Sequence, residues 1–141
     1  MVLVKKVKRN ISSIYAHCMA TRTDQNFGVK DCYNWHVNER GWSDVGYHYV
    51  IRLDGTIETG RPLGRVGAHA GKKFNSGSIG VCFEGGYNPD GTMWDGPTKE
   101  QFHGWFRLYW EILDVYHCVK VKGHYEVSEK TCPNFDVKIL L

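Results

Sequence analysis

The run GYHYVIRLDGTIETG, residues 46–60, constrains the fold of this chain more than any other stretch. β-branched and aromatic residues flank an Asp54-Gly55 pair, the short-range signal for a tight turn between two antiparallel strands. Around that hairpin the pattern switches repeatedly between strand and helix. ISSIYAHCM (11–19) and SIGVCFE (78–84) read as strands, and residues 119–122 as a short one. Residues 28–40 predict a helix, with Gly41 placed where a left-handed cap is wanted. Thr98-Lys99-Glu100-Gln101 is a capping box opening a helix over about 98–117, and Phe102, Phe106, Tyr109, Leu113 and Tyr116 give it one broad apolar face. A short helix closes the chain. Strands interspersed with helices predict an α/β domain with a central mixed sheet covered by helices. With 141 residues, no repeat and no linker, residues 1–141 are expected to form one domain.

Charge and cysteine content narrow the possible functions. A net charge of +3 without a long Lys/Arg tract argues against nucleic acid as a partner and leaves room for an anionic one such as a bacterial wall. Five cysteines, Cys18, Cys32, Cys82, Cys118 and Cys132, are odd in number and lack framework spacing, which fits thiols kept reduced in a cytosol. No apolar run reaches the length of a membrane span, so no insertion is expected. The N-terminal MVLVKKVKRN lacks the apolar core of a secretory signal.

The chemistry concentrates in GHYEVSEKTCPNF, residues 123–135, and in AHC, residues 16–18. His17, His124 and Cys132 together offer two imidazoles and one thiolate, three corners of a zinc tetrahedron. A missing fourth corner distinguishes catalytic zinc sites from structural ones. Taken singly, each has a plainer reading: a strand histidine is commonly core, a free cysteine commonly a small buried apolar residue, and the loop around His124 a solvated surface. The H-x7-C spacing matches no zinc-finger pattern, and there is no HExxH. At the level of residues alone, both readings stand.

Longer stretches break the tie. AHCMAT (16–21), NWHVNERGWSDVGYHYVIRLDGTIETGRP (34–62), GAHA (67–70), NSGSIGVCFEGG (75–86) and GHYEVSEKTCPNFD (123–136) occur in the order found in one enzyme family. The sequence resembles the zinc-dependent N-acetylmuramoyl-L-alanine amidases, which include phage amidase-type lysozymes and peptidoglycan recognition proteins. It looks most like the small single-domain phage endolysins. The resemblance implies the amidase/peptidoglycan recognition protein-like fold and one catalytic Zn2+ held by His17, His124 and Cys132. It also implies catalytic roles for Tyr47 and Lys130 and substrate contacts at His69 and Asn75. The implied reaction is hydrolysis of the amide joining N-acetylmuramic acid to L-alanine in bacterial peptidoglycan, by a monomer. Such a protein would be made in the host cytoplasm without a signal peptide and act on the wall after release.

His48 must point opposite to Tyr47 on a strand and reads as structural. Cys18 is expected to turn away from the metal beside His17. His36, His103 and His117 read as packing or surface residues, and Cys32, Cys82 and Cys118 as apolar packing. Three alternatives remain: a peptidoglycan-binding module without catalysis, a cytosolic amidase recycling soluble muropeptides, and a regulator of a phage RNA polymerase. The last would need residues 1–10, which lie outside the matched stretches, and the final helix is shorter than in many members of the family.

Overall fold

The computed structural model describes residues 2–141. Its centre is β1 (Ser13–Cys18), flanked in parallel by β5 (Ser78–Phe83) and β7 (Lys120–Gly123). β3 (Tyr49–Ile51) joins β5 in parallel, and β4 (Ile57–Thr59) closes that side antiparallel to β3, giving the order β4-β3-β5-β1-β7. The sheet is therefore mixed, as the sequence predicts. A small second sheet pairs β2 (Thr21–Arg22) with β6 (Gly86–Tyr87).

Alternation along the strands separates two faces. Ile14 and Ala16 of β1, Tyr49 and Ile51 of β3, and Ile79, Val81 and Phe83 of β5 form the main core with Trp105, Leu108 and Ile112 of helix α3 (Lys99–Tyr116). Val50 and Cys82 point the other way and meet Cys32 of helix α1 (Val29–Tyr33) and Val45. His17 is in register with Cys82, so it lies on the α1 face. Tyr15, two residues earlier, meets Phe74 of the short helix α2 (Lys72–Asn75) there.

Three elements differ from the sequence expectation. The hairpin turns at Asp54-Gly55 with Gly55 at φ +87°, but its first strand starts only at Tyr49, leaving Tyr47 and His48 just before it. The helix over 28–40 is α-helical only to Tyr33 and continues as a π-helical segment, Asn34–Glu39, before Gly41 at φ +77°. Such wide turns re-aim side chains and recur at functional sites.

Helix α3 has the expected capping box: the Gln101 amide donates to Thr98 Oγ1 and the Thr98 amide to Gln101 Oε1, each at 3.0 Å. Its buried row, however, is Gln101, Gly104, Trp105, Leu108 and Ile112, while Phe106 is exposed. Gly104 decides this. A Cβ there would lie 2.6 Å from the Gly55 carbonyl oxygen, so the helix docks where its backbone can approach the hairpin. Cys118, expected in the core, is exposed just beyond the helix end. The chain closes with a single 3-10 turn, Val137–Leu140.

Candidate active site

Parallel strands direct their carboxyl ends to one edge of the sheet, where crevices of α/β folds form. His17 sits near that end of β1, and β7 delivers His124 one residue past its own end. The chain then makes a 3-10 turn, His124–Glu126, and loops back to Cys132. The Tyr125 amide donates to the Cys132 carbonyl at 2.9 Å, and the Cys18 amide donates to Cys132 Sγ at 3.3 Å. These contacts fix the thiol against β1.

The three residues that the sequence singles out as ligands come together. Donor atoms of His17, His124 and Cys132 all lie within 4.8 Å of one another. Nδ1 of His17 is 3.8 Å from Cys132 Sγ, and the His17 and His124 ring centroids are 4.6 Å apart. Burial lowers the pKa of His17, favouring the neutral imidazole. The Cys132 thiol is held below its ordinary range, foremost by hydrogen bonding to Cys18 and then by His124 and His17, while burial opposes the shift. A neutral imidazole and an easily ionised thiol are the forms in which these groups bind a metal. Two nitrogens and one sulfur this close together are a donor set able to hold a metal ion, of the kind that holds zinc.

Tyr47 is half-buried with its ring centroid 5.2 Å from that of His17. Burial, with nearby Cys82 and Cys132, pushes its hydroxyl well above the ordinary tyrosine value. Lys130 is exposed on the loop two residues before Cys132 and borders the same cleft. His69 and Asn75 also line it, although their polar atoms are partly committed. Asn75 Oδ1 accepts from the amides of His69 (3.1 Å) and Ala70 (2.8 Å), and His69 Nδ1 lies 2.9 Å from His17 Nε2.

The cleft encloses about 550 Å³ and extends from these residues to Trp35, His36, Arg40 and Trp42. His36, which the sequence reads as a packing or surface residue, is packed against Trp42 and Tyr47 and also lines this cleft. It is buried in the cleft wall on the π-helical segment, its Nδ1 accepting from the Gly46 amide at 2.9 Å. Burial, reinforced by Arg40 and Arg61, lowers its pKa to about 4, so it is neutral with its proton on Nε2. The only advance signal was its position in the NWHVNERGWSDVGYHY stretch. His48 behaves as expected: it is buried, accepts from the Gly80 amide through Nδ1 at 3.0 Å, and reaches the Arg65 carbonyl through Nε2 at 2.8 Å.

Residues 7–135 match the sequence profile of the N-acetylmuramoyl-L-alanine amidases. The chain belongs to that family. The amidase is 41% identical to the endolysin of Escherichia phage T7 over 133 residues, covering 94% of this chain and 87% of that one. It is 40% identical to the endolysin of Klebsiella phage KP32, covering 98% and 91%. Among solved structures it is similar to the amidase endolysin LysCS from Clostridium intestinale, with a TM-score of 0.80 and 30% identity over 94% of this chain and 82% of that one. It is also similar to Drosophila PGRP-LB, with a TM-score of 0.75 and 26% identity over 92% and 78%. The amidase therefore hydrolyses the bond between N-acetylmuramic acid and L-alanine, and its fold is that of phage amidases and peptidoglycan recognition proteins. Among the described residues, no helix is long and apolar enough to cross a membrane.

Proposed function

We propose that this amidase is a zinc-dependent phage endolysin in which residues 1–141 act as one catalytic domain on intact peptidoglycan. The observation carrying this reading is the convergence of His17, His124 and Cys132 donor atoms within 4.8 Å at the floor of the cleft. Zinc bound there would supply Lewis acidity and bring the pKa of water near 7.

The remaining work falls to the chain's own groups. The cleft has the volume of a small-molecule site and would take the lactyl–L-alanine junction with part of the stem peptide. Tyr47, kept protonated by burial, donates a hydrogen bond to the scissile carbonyl oxygen as negative charge develops on it. The Lys130 ammonium, on the flexible stem of an exposed residue at the cleft edge, stabilises the same charge. A proton must also reach the departing L-alanine amine, and Tyr47 and Lys130 both border the site with one to give. Asn75, whose Oδ1 is occupied by backbone amides, is left with its Nδ2 group for the substrate. His69 borders the bound peptide as part of the cleft wall.

The test is digestion of purified sacculi by the zinc-loaded protein, followed by mass spectrometry. Stem peptides with free L-alanine amino termini are expected. New reducing sugar ends would instead identify a glycosidase. Turnover of soluble muropeptides with intact sacculi left uncut would place the enzyme in wall recycling, and undiminished activity after complete zinc removal would overturn the metal reading.

A further inference from the structure

Two buried side chains, His69 and Ser78, continue inward from His17. Its Nε2 lies 2.9 Å from Nδ1 of His69, the rings standing at 87° with centroids 4.9 Å apart. The other nitrogen of His69, Nε2, lies 3.4 Å from Oγ of Ser78, and that hydroxyl lies 2.7 Å from the Phe74 carbonyl. The direction of every hydrogen bond follows from the last one. Ser78 has a single hydroxyl proton, and the Phe74 carbonyl can only accept, so the proton points there. Toward His69 the hydroxyl oxygen is therefore an acceptor, and the His69 proton sits on Nε2. That leaves His69 Nδ1 bare, able only to accept from His17. A neutral His17 must then carry its proton on Nε2 and present an uncommitted lone pair at Nδ1, the nitrogen 3.8 Å from Cys132 Sγ.

We propose that His69 and Ser78 are positioning residues that lock the His17 ring into the one tautomer able to bind a metal beside Cys132. The inference rests on the reading of His17 as a zinc ligand. Ligating histidines commonly hand their second N–H to a carboxylate or a carbonyl. Here a neutral imidazole takes that place, and it is directional only because Ser78 fixes it in turn.

The surroundings are built to hold this arrangement. Asn75 Oδ1 pins the backbone on both sides of His69, and a Cβ on Gly80 would come within 2.6 Å of the His69 ring, one on Gly67 within 2.7 Å. Ser78 is fully buried at the start of β5, two residues from Gly80 on the same strand. Without the serine hydroxyl the His69 proton would be free to occupy Nδ1. There it would oppose the His17 N–H or force it onto the metal-binding nitrogen.

The test combines ring spectroscopy with zinc affinity. In zinc-loaded protein carrying ¹⁵N-histidine, long-range ¹H–¹⁵N spectra are expected to show His17 and His69 both protonated at Nε2. By chelator competition, His69→Leu should weaken Zn2+ binding about 10–100-fold. His69→Asn, whose Oδ1 stands near the place of Nδ1, should recover most of that loss. Ser78→Ala should give mixed tautomers at His69 and an intermediate affinity. Protonation of His17 at Nδ1 in the zinc-loaded protein, or parental affinity in His69→Leu, overturns the proposal. If His69→Leu fails to fold, the spectrum of the unaltered protein still decides. Failure of the unaltered protein to take up zinc removes the metal reading and this inference together, whereas normal uptake with an indifferent His69→Leu removes only the inference.

Discussion

The backbone amide of Cys18 donates to the sulfur of Cys132 at 3.3 Å, although the two residues are 114 positions apart. The contact ties the outer ligand loop to the strand that carries His17. It makes the donor set a product of tertiary packing rather than of local sequence.

The first expectation concerns that set. His17→Ala, His124→Ala and Cys132→Ala should each release zinc and abolish turnover, because three protein ligands are the minimum of such a site. Metal content measured on each purified variant, beside its activity on sacculi, checks this. Stoichiometric zinc in any one of them would remove that residue from the coordination sphere.

Lys130→Ala separates chemistry from metal binding. Lys130 borders the cleft without belonging to the donor cluster, so zinc content should be unchanged while kcat falls about 10²–10³-fold, the usual cost of one oxyanion-stabilising group. A variant turning over at the parental rate would exclude Lys130 from the reaction.

Acid should weaken the fold before it affects the carboxylates. Burial holds His48 near pKa 4, with Arg9 and Arg61 adding to the shift and the Arg65 carbonyl opposing it; His36 sits at about 4 for similar reasons. Unfolded histidines titrate near 6.5. Between those values the unfolded chain binds more protons than the folded one, so stability falls as pH drops from about 6.5 to 4 and levels off above 6.5. Each ring can withdraw up to about 3 kcal/mol by this route. Urea midpoints at pH 7.5 and 4.5 should differ accordingly, and equal midpoints would contradict the burial of both rings as neutral groups.

Gly104→Ala tests the docking of α3 far from the cleft. The new methyl would meet the Gly55 carbonyl at 2.6 Å, which predicts a loss of about 1–3 kcal/mol in chemical denaturation with kcat and zinc content retained. Parental stability would mean that the helix can shift without cost.

Part of this architecture is legible in local sequence and part is not. The Asp54-Gly55 turn, the Thr98–Gln101 box and the strands around His17 and Ser78 are local patterns, and local patterns survive folding. Two apolar rows run along α3, and only the approach of Gly104 to Gly55, a long-range contact, chooses between them. His36 looked ordinary because a π-helical segment, not a regular helix, turns it into the cleft. The ligand trio was legible through family motifs and not through spacing, since the proximity of residues 17, 124 and 132 is created by the pairing of β1 with β7. The bond from His69 to His17 has no sequence signal either, because it joins β1 to the loop before α2, 52 positions away.

The pairing of β1 with β7 has a consequence in time. A ribosome that has made residues 1–123 has supplied the central strand, both hairpin strands and α3, yet His124, Lys130 and Cys132 do not exist. A chain ended at residue 123 therefore holds one of the three donor residues and lacks Val137 and Leu140 from the main core. Catalytic competence is thus the last thing that synthesis of this chain completes.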